Sequence, residues 1–110
     1  MTPFEPHLQG LASKLGIVFN ADGFPVPLIR KTNDVGVMAV AMIIENSLRF
    51  EDVDERRQKL AEVTESIDQW SQILGANDQR IQILWAMHTV ACAIIDGRQI
   101  PTVEELGLLY

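Results

Sequence analysis

The sequence predicts an all-α fold, a compact bundle of three long helices plus two short terminal helices, with an extended loop or marginal β-hairpin near residues 17–31. Three observations predict it. Side chains that cap helices recur just ahead of apolar segments, apolar residues within those segments follow three-four spacing, and glycines stand where the segments stop. A chain of 110 residues has the length for one hydrophobic core, so residues 1–110 read as a single α-helical domain.

The first short helix is expected from "TPFE", a capping box with Thr2 as cap and Pro3 at the first helical position, where its missing donor costs nothing. Phe4, Leu8, Leu11, Ala12 and Leu15 then make a stripe that stops at Gly16. The following stretch, "IVFNADGFPVPLIRK", has turn signals from Asn20 to Gly23, and prolines at 25 and 27 that forbid a central strand.

The second helix should run from Asn33 or Asp34 to about Phe50. Its interior, "VGVMAVAMII", is apolar on all sides until Glu45, which demands burial on more than one side. Five β-branched residues make a buried strand a competitor there, but Met38, Ala39, Ala41 and Met42 intervene, and Leu48 continues the Ala41 and Ile44 side, which favours helix. The third helix starts at "DVDE", with Asp52 as cap, and ends at Gly75. Leu60, Val63, Ile67, Trp70 and Leu74 form one narrow stripe on an otherwise polar cylinder, the pattern of an amphipathic surface helix. Glu45 with Arg49, Asp52 with Arg56 and Glu55 with Lys59 are acid-first pairs four residues apart.

The fourth helix is expected from a cap at Asn77 to a stop at Gly97. It is apolar nearly all round, with a slim polar wedge at Gln82 and Thr89, so it belongs at the centre. After Pro101, "TVEE" repeats the capping box at Thr102 and should start a short final helix through Leu108.

Fifteen acids against nine bases leave a formal charge of −6, and no basic patch with interleaved aromatics is present. Phosphate backbones would repel such a chain, so nucleic acid is not expected as a partner. The longest apolar run stops after ten residues at Glu45, about half the roughly 20 needed to span a bilayer, so no membrane association is expected either. One cysteine excludes an intrachain disulfide and suits a reducing compartment. The "MTPFEPHLQG" start has no secretion-signal pattern. A cytoplasmic protein is the expectation.

His88, Cys92 and Asp96 share one side of the fourth helix, a geometry that chemistry could use. A cysteine nucleophile needs a cationic neighbour or a helix N-terminus to lower its pKa. Cys92 instead lies in the C-terminal half of its helix between two alanines. A zinc site would need further soft ligands, and His7 is far away in sequence. Packing is therefore expected for Cys92, with His88 half-buried on a backbone carbonyl or another helix. Glu62, Glu65 and Asp68 form an acidic row, but no second set of carboxylates faces them, as a divalent-ion site would require. "FNADGFPVP" has Asn20 and Asp22 but lacks the closing acid of a calcium loop. No catalytic residue, metal site or cofactor is expected.

Two helices apolar all round need more cover than one amphipathic helix and two short ones supply. The expected resolution is a homodimer, or another protein partner, contacting Met38, Met42, Leu84, Trp85 and His88, with Glu62, Glu65 and Asp68 as an acidic partner-facing surface. The favoured function is thus that of a small acidic interaction module, a regulator, inhibitor or immunity-type protein. The alternatives are a ligand-binding protein or enzyme with a pocket near His88, and a structural assembly subunit.

Overall fold

Four helices and a two-residue-wide hairpin make up the computed structural model, which describes residues 3–26, 32–102 and 104–107. The capping side chains expected at Thr2 and at Asn33 or Asp34 lie outside what is described.

Helix α1 spans Pro6–Lys14 and so begins one proline later than "TPFE" predicts. The ring of a proline pushes the residue before it out of the helical region. Glu5 is accordingly extended (φ −55°, ψ 123°), and its carboxylate caps the helix by accepting from the His7 N–H at 3.0 Å. Phe4 precedes the helix and is buried, its ring 4.9 Å from that of Phe19. The hairpin pairs β1, Val18–Phe19, antiparallel with β2, Pro25–Val26. The Asn20 side chain accepts from the Asp22 and Phe24 N–H groups, each at 3.0 Å. Its oxygen therefore makes a turn.

Helix α2 spans Thr32–Ser47, so burial and helix-forming neighbours override the β-branched run. It stops before Phe50: Leu48 and Arg49 are in a turn, although Leu48 still packs against the core. Helix α3, Val53–Leu74, is capped by the Asp52 carboxylate on the Asp54 N–H and ends at Gly75. Helix α4 spans Gln79–Asp96, and its cap is Asp78, not Asn77. The Asp78 carboxylate accepts from both the Arg80 N–H (2.9 Å) and the Arg80 guanidinium (2.9 Å), which anchors the helix start there. At its other end Gly97 takes the left-handed conformation (φ 68°), letting the Arg98 N–H reach the Ala93 carbonyl.

Thr102 and Glu105 exchange the two bonds of the expected capping box, at 3.2 and 3.3 Å. The described residues that follow are turn, however, and Gly107 adopts φ 74°, so no helix develops over 104–107. Leu108 lies outside the described residues.

Helices α2 and α4 pack against each other, and α1 and α3 each pack against both without touching one another. The two most apolar helices thus form the inner pair, with the amphipathic ones on either side. One core joins Leu8 and Leu11 of α1, Val37 and Ile44 of α2, Leu60 and Ile67 of α3, and Ile81, Leu84 and Met87 of α4. Gly36 is the close point between α2 and α3, where the Trp70 ring lies against the bare backbone.

Glu45, which interrupts the apolar run of α2, is buried at 4% exposure. Its carboxylate accepts from the Glu5 N–H at 2.8 Å and from the Arg49 guanidinium at 2.5 Å, while Arg49 also reaches the Pro3 carbonyl. One buried acid thereby ties the entry to α1 onto α2. Of the other acid-first pairs, Arg56 turns instead to the Phe50 carbonyl, and Lys59 lies 3.7 Å from Glu62.

Candidate functional site

Two surfaces invite a function: a cleft between α3 and α4, and the outer side of α2 with the groove it shares with α3.

The cleft holds about 180 Å³ and is lined by Arg57, Leu60 and Ala61 of α3 and by His88, Cys92 and Asp96 of α4, with Ile95. Spacings of four along α4 place these three polar groups in one row, as the sequence implies. His88 Nε2 is 3.1 Å from the Leu60 carbonyl. A carbonyl only accepts, so Nε2 carries the proton, and Nδ1 is left to accept from the Cys92 thiol at 3.7 Å. Burial pushes the His88 pKa below its ordinary value, against the opposing pull of the Leu60 bond. Burial, helped by the Asp96 charge, pushes the Cys92 thiol up, with Arg98 opposing. Both shifts favour neutral thiol beside neutral imidazole, the opposite of the thiolate–imidazolium pair a nucleophile needs. The Arg57 hydrogen bond, 2.9 Å to Asp96, holds that carboxyl below its usual range, and Arg98 at 3.3 Å adds to it. Among the described residues no three His, Cys, Asp or Glu side chains stand together as a metal site would require.

The five residues expected at an interface do not share a surface. Leu84 is 0% exposed and belongs to the core, so it offers a partner nothing. Met38 and Met42 are partly buried on α2. Trp85 and His88 are neighbours on α4, their rings edge to face with centroids 5.9 Å apart; Trp85 lines a hollow with Leu106 and Gly107 of the C-terminal turn, and His88 lines the cleft. Leu106 of the C-terminal turn packs against the core, so that segment gives cover as a turn rather than as the expected short helix. On the acidic row, Glu62, Glu65 and Asp68 are all exposed.

Among the described residues, Val18, Val26, Val53 and Ile73 are exposed on other elements, and two more large aliphatic side chains stand open along one helix, on the outer side of α2. Val35 and Ile43 are 54% and 48% exposed, with Ala39 exposed between them. On a helical wheel Val35, Ala39 and Met42 fall about 140–180° from the buried Ile44. The groove beside this stripe, about 380 Å³, is lined by Ile43, Ser47 and Phe50 on one wall and Lys59, Glu62 and Ser66 on the other. Gly36 meets Trp70 at one end, and Ile43 and Ser47 line the groove together with Glu62 and Val63 at the other, so α2 and α3 run antiparallel. Ile73, 69% exposed, is consequently at the Val35 end. Wheel position alone could have flagged Ile73, which lies off the Leu60–Leu74 stripe.

No protein-family model matches the chain, and comparison with curated proteins and with solved structures finds no match. Among the described residues no helix is long and apolar enough to cross a membrane.

Proposed function

We propose that this is a protein-binding module whose working surface is the outer side of α2. The observation that carries the reading is the exposure of Val35 and Ile43 on a helix whose other faces are buried in the core. Large aliphatic side chains aligned along one helix and left in water are a cost that a partner's apolar side would remove. In this reading the protein acts in the cytoplasm as a regulator, inhibitor or immunity-type protein. Of its acidic row, Glu62 borders the contact, with Glu65 and Asp68 following round α3.

A second copy of the chain is the competing occupant, since α2 against α2 would bury the same stripe in an isologous contact. A catalytic or ligand-binding role at His88 has less support. The cleft's 180 Å³ is below the roughly 300–1,000 Å³ of typical ligand pockets, and its thiol and imidazole are held neutral.

The test is affinity capture from the native cell with the wild-type chain, with Ile43→Glu and with Thr89→Glu, an exposed control on α4. A partner retained by the wild type and the control but lost by Ile43→Glu supports the reading. Equal retention by all three defeats it. Light scattering on the same samples separates the homodimer: a mass of twice 12.3 kDa that falls to 12.3 kDa in Ile43→Glu makes the second copy the occupant.

A further inference from the structure

We infer that the partner presents a basic amphipathic helix, laid with its apolar side along α2 and its cationic flank against α3. This rests on the docking surface proposed above and adds the chemistry of what fills it.

The argument is one of charge around an apolar strip. Between Lys31 and Arg49 the chain has no base, and between Lys59 and Arg80 it has none either, whereas Glu62, Glu65 and Asp68 fall in that second interval. Ile43, Asn46 and Ser47 on one wall of the α2/α3 groove and Glu62, Val63 and Ser66 on the other come from these segments, whereas at the Phe50 end Lys59 sits 3.7 Å from Glu62 and over the Phe50 ring at 6.0 Å, and Arg56 bonds the Phe50 carbonyl. On the wheel of α3, Glu62 is on the groove side, Glu65 follows about 60° further round at the crest, and Asp68 lies about 120° round, on the side of α3 that faces the α4 cleft. A lysine or arginine laid along the solvent side of the groove would therefore meet Glu62 and then Glu65 as its long side chain reached outward, clear of Lys59 at the Phe50 end.

The same field rejects other occupants. An anionic membrane surface or a nucleic acid would be repelled by the acidic crest and by the overall charge of −6. A second copy would bring two acidic crests towards one another, with Lys59 the one base among the groove-lining residues to offset them. The strip from Val35 to Asn46 is about 17 Å long at 1.5 Å per residue, enough for three turns of a partner helix with apolar residues at i, i+3 or i+4, and i+7.

The test uses the full chain and three fluorescent 18-residue helical peptides with an identical leucine–alanine side and flanks of lysine and arginine, of glutamine, or of glutamate. Anisotropy titrations are run at low and high salt. The basic peptide should bind about tenfold or more tighter than the glutamine one at about 50 mM salt, and within about threefold of it at about 500 mM. Replacing Glu62, Glu65 and Asp68 with Gln, Gln and Asn should remove most of that preference, and Ile43→Glu should abolish binding of every peptide. Val35→Glu stands in for Ile43→Glu should the latter melt at lower temperature. Glutamine and basic peptides binding alike would overturn the charge selection while leaving the apolar surface in place. Binding of no peptide, or binding indifferent to Ile43→Glu and Val35→Glu, would overturn the docking surface itself.

Discussion

Replacing Gly36 with alanine places two well-characterised effects in opposition, and the structure decides between them. Alanine is the better helix former by about 1 kcal/mol, so at an open site the change would stabilise α2. At this site the new Cβ would lie 2.0 Å from Trp70 Cζ2 and 2.6 Å from Cη2. Ordinary carbon contacts are about 3.5–4.0 Å, so the indole must retreat by about 1.5 Å or more. The ring belongs to the packed seam between α2 and α3, and forcing such a move costs about 1–3 kcal/mol. Subtracting the propensity gain from the upper part of that range leaves Gly36→Ala less stable by about 1–2 kcal/mol, a melting temperature lower by about 4–10 °C for a chain of this size. Thermal melts followed by circular dichroism measure it directly. Gly10, on α1, has nothing within 4 Å of its would-be Cβ, and Gly10→Ala should raise stability by about 0.5–1 kcal/mol. In a Trp70→Leu background Gly36→Ala should cease to destabilise. A wild-type-background Gly36→Ala that melts at or above the parent would show that the indole does not occupy this seam.

The remaining expectations concern buried polar groups. His88 has a folded-state pKa below its unfolded value because of burial, so the unfolded chain takes up the proton first. Stability contributed by this group is full above about pH 6.5, falls as the pH drops through that value, and levels off below the folded pKa. A urea midpoint unchanged between pH 7.5 and 5.5, or falling equally in His88→Gln, would refute it. Glu45→Ala leaves the Glu5 N–H without its acceptor and should cost about 1–3 kcal/mol, with amide exchange accelerated at Glu5, whereas Glu45→Gln keeps an acceptor and should cost less. Equal melting of the two variants would count against the anchoring role. Cys92, its thiol pKa raised by burial and by Asp96, should react with iodoacetamide at pH 7.5 more slowly than an unstructured peptide thiol, and faster reaction would mean an activated cysteine.

Helix identity was legible because the apolar period and the glycine stops are local signals. The starts were less so, for physical reasons. At "TPFEP" two prolines compete, and the restriction Pro6 places on Glu5 prevails over the capping box that Thr2 and Glu5 spell out. At "AND" two capping side chains are adjacent, and the guanidinium of Arg80 selects Asp78. The row of His88, Cys92 and Asp96 was readable from spacing, and so was the half-buried histidine on a backbone carbonyl. Its partners were not: the Leu60 carbonyl and Arg57 come from another helix, a tertiary fact no local pattern holds. For the same reason the expected interface residues are divided between α2 and α4, with Leu84 in the core. A helix apolar all round shows that it needs cover without showing which side its neighbours leave bare, and the open strip proved to be Val35, Ala39 and Ile43. Glu45 read as a break in the apolar run, whereas it is the buried anchor of α1.

An amide-resolved NMR titration of the full chain with the lysine- and arginine-flanked peptide locates the contact in one measurement. Shifts should gather on α2 from Val35 to Asn46 and on α3 from Lys59 to Ile73, leaving Gln82, Trp85 and His88 unmoved. Shifts centred on the His88 cleft, with α2 silent, would mean that this protein works through a different surface.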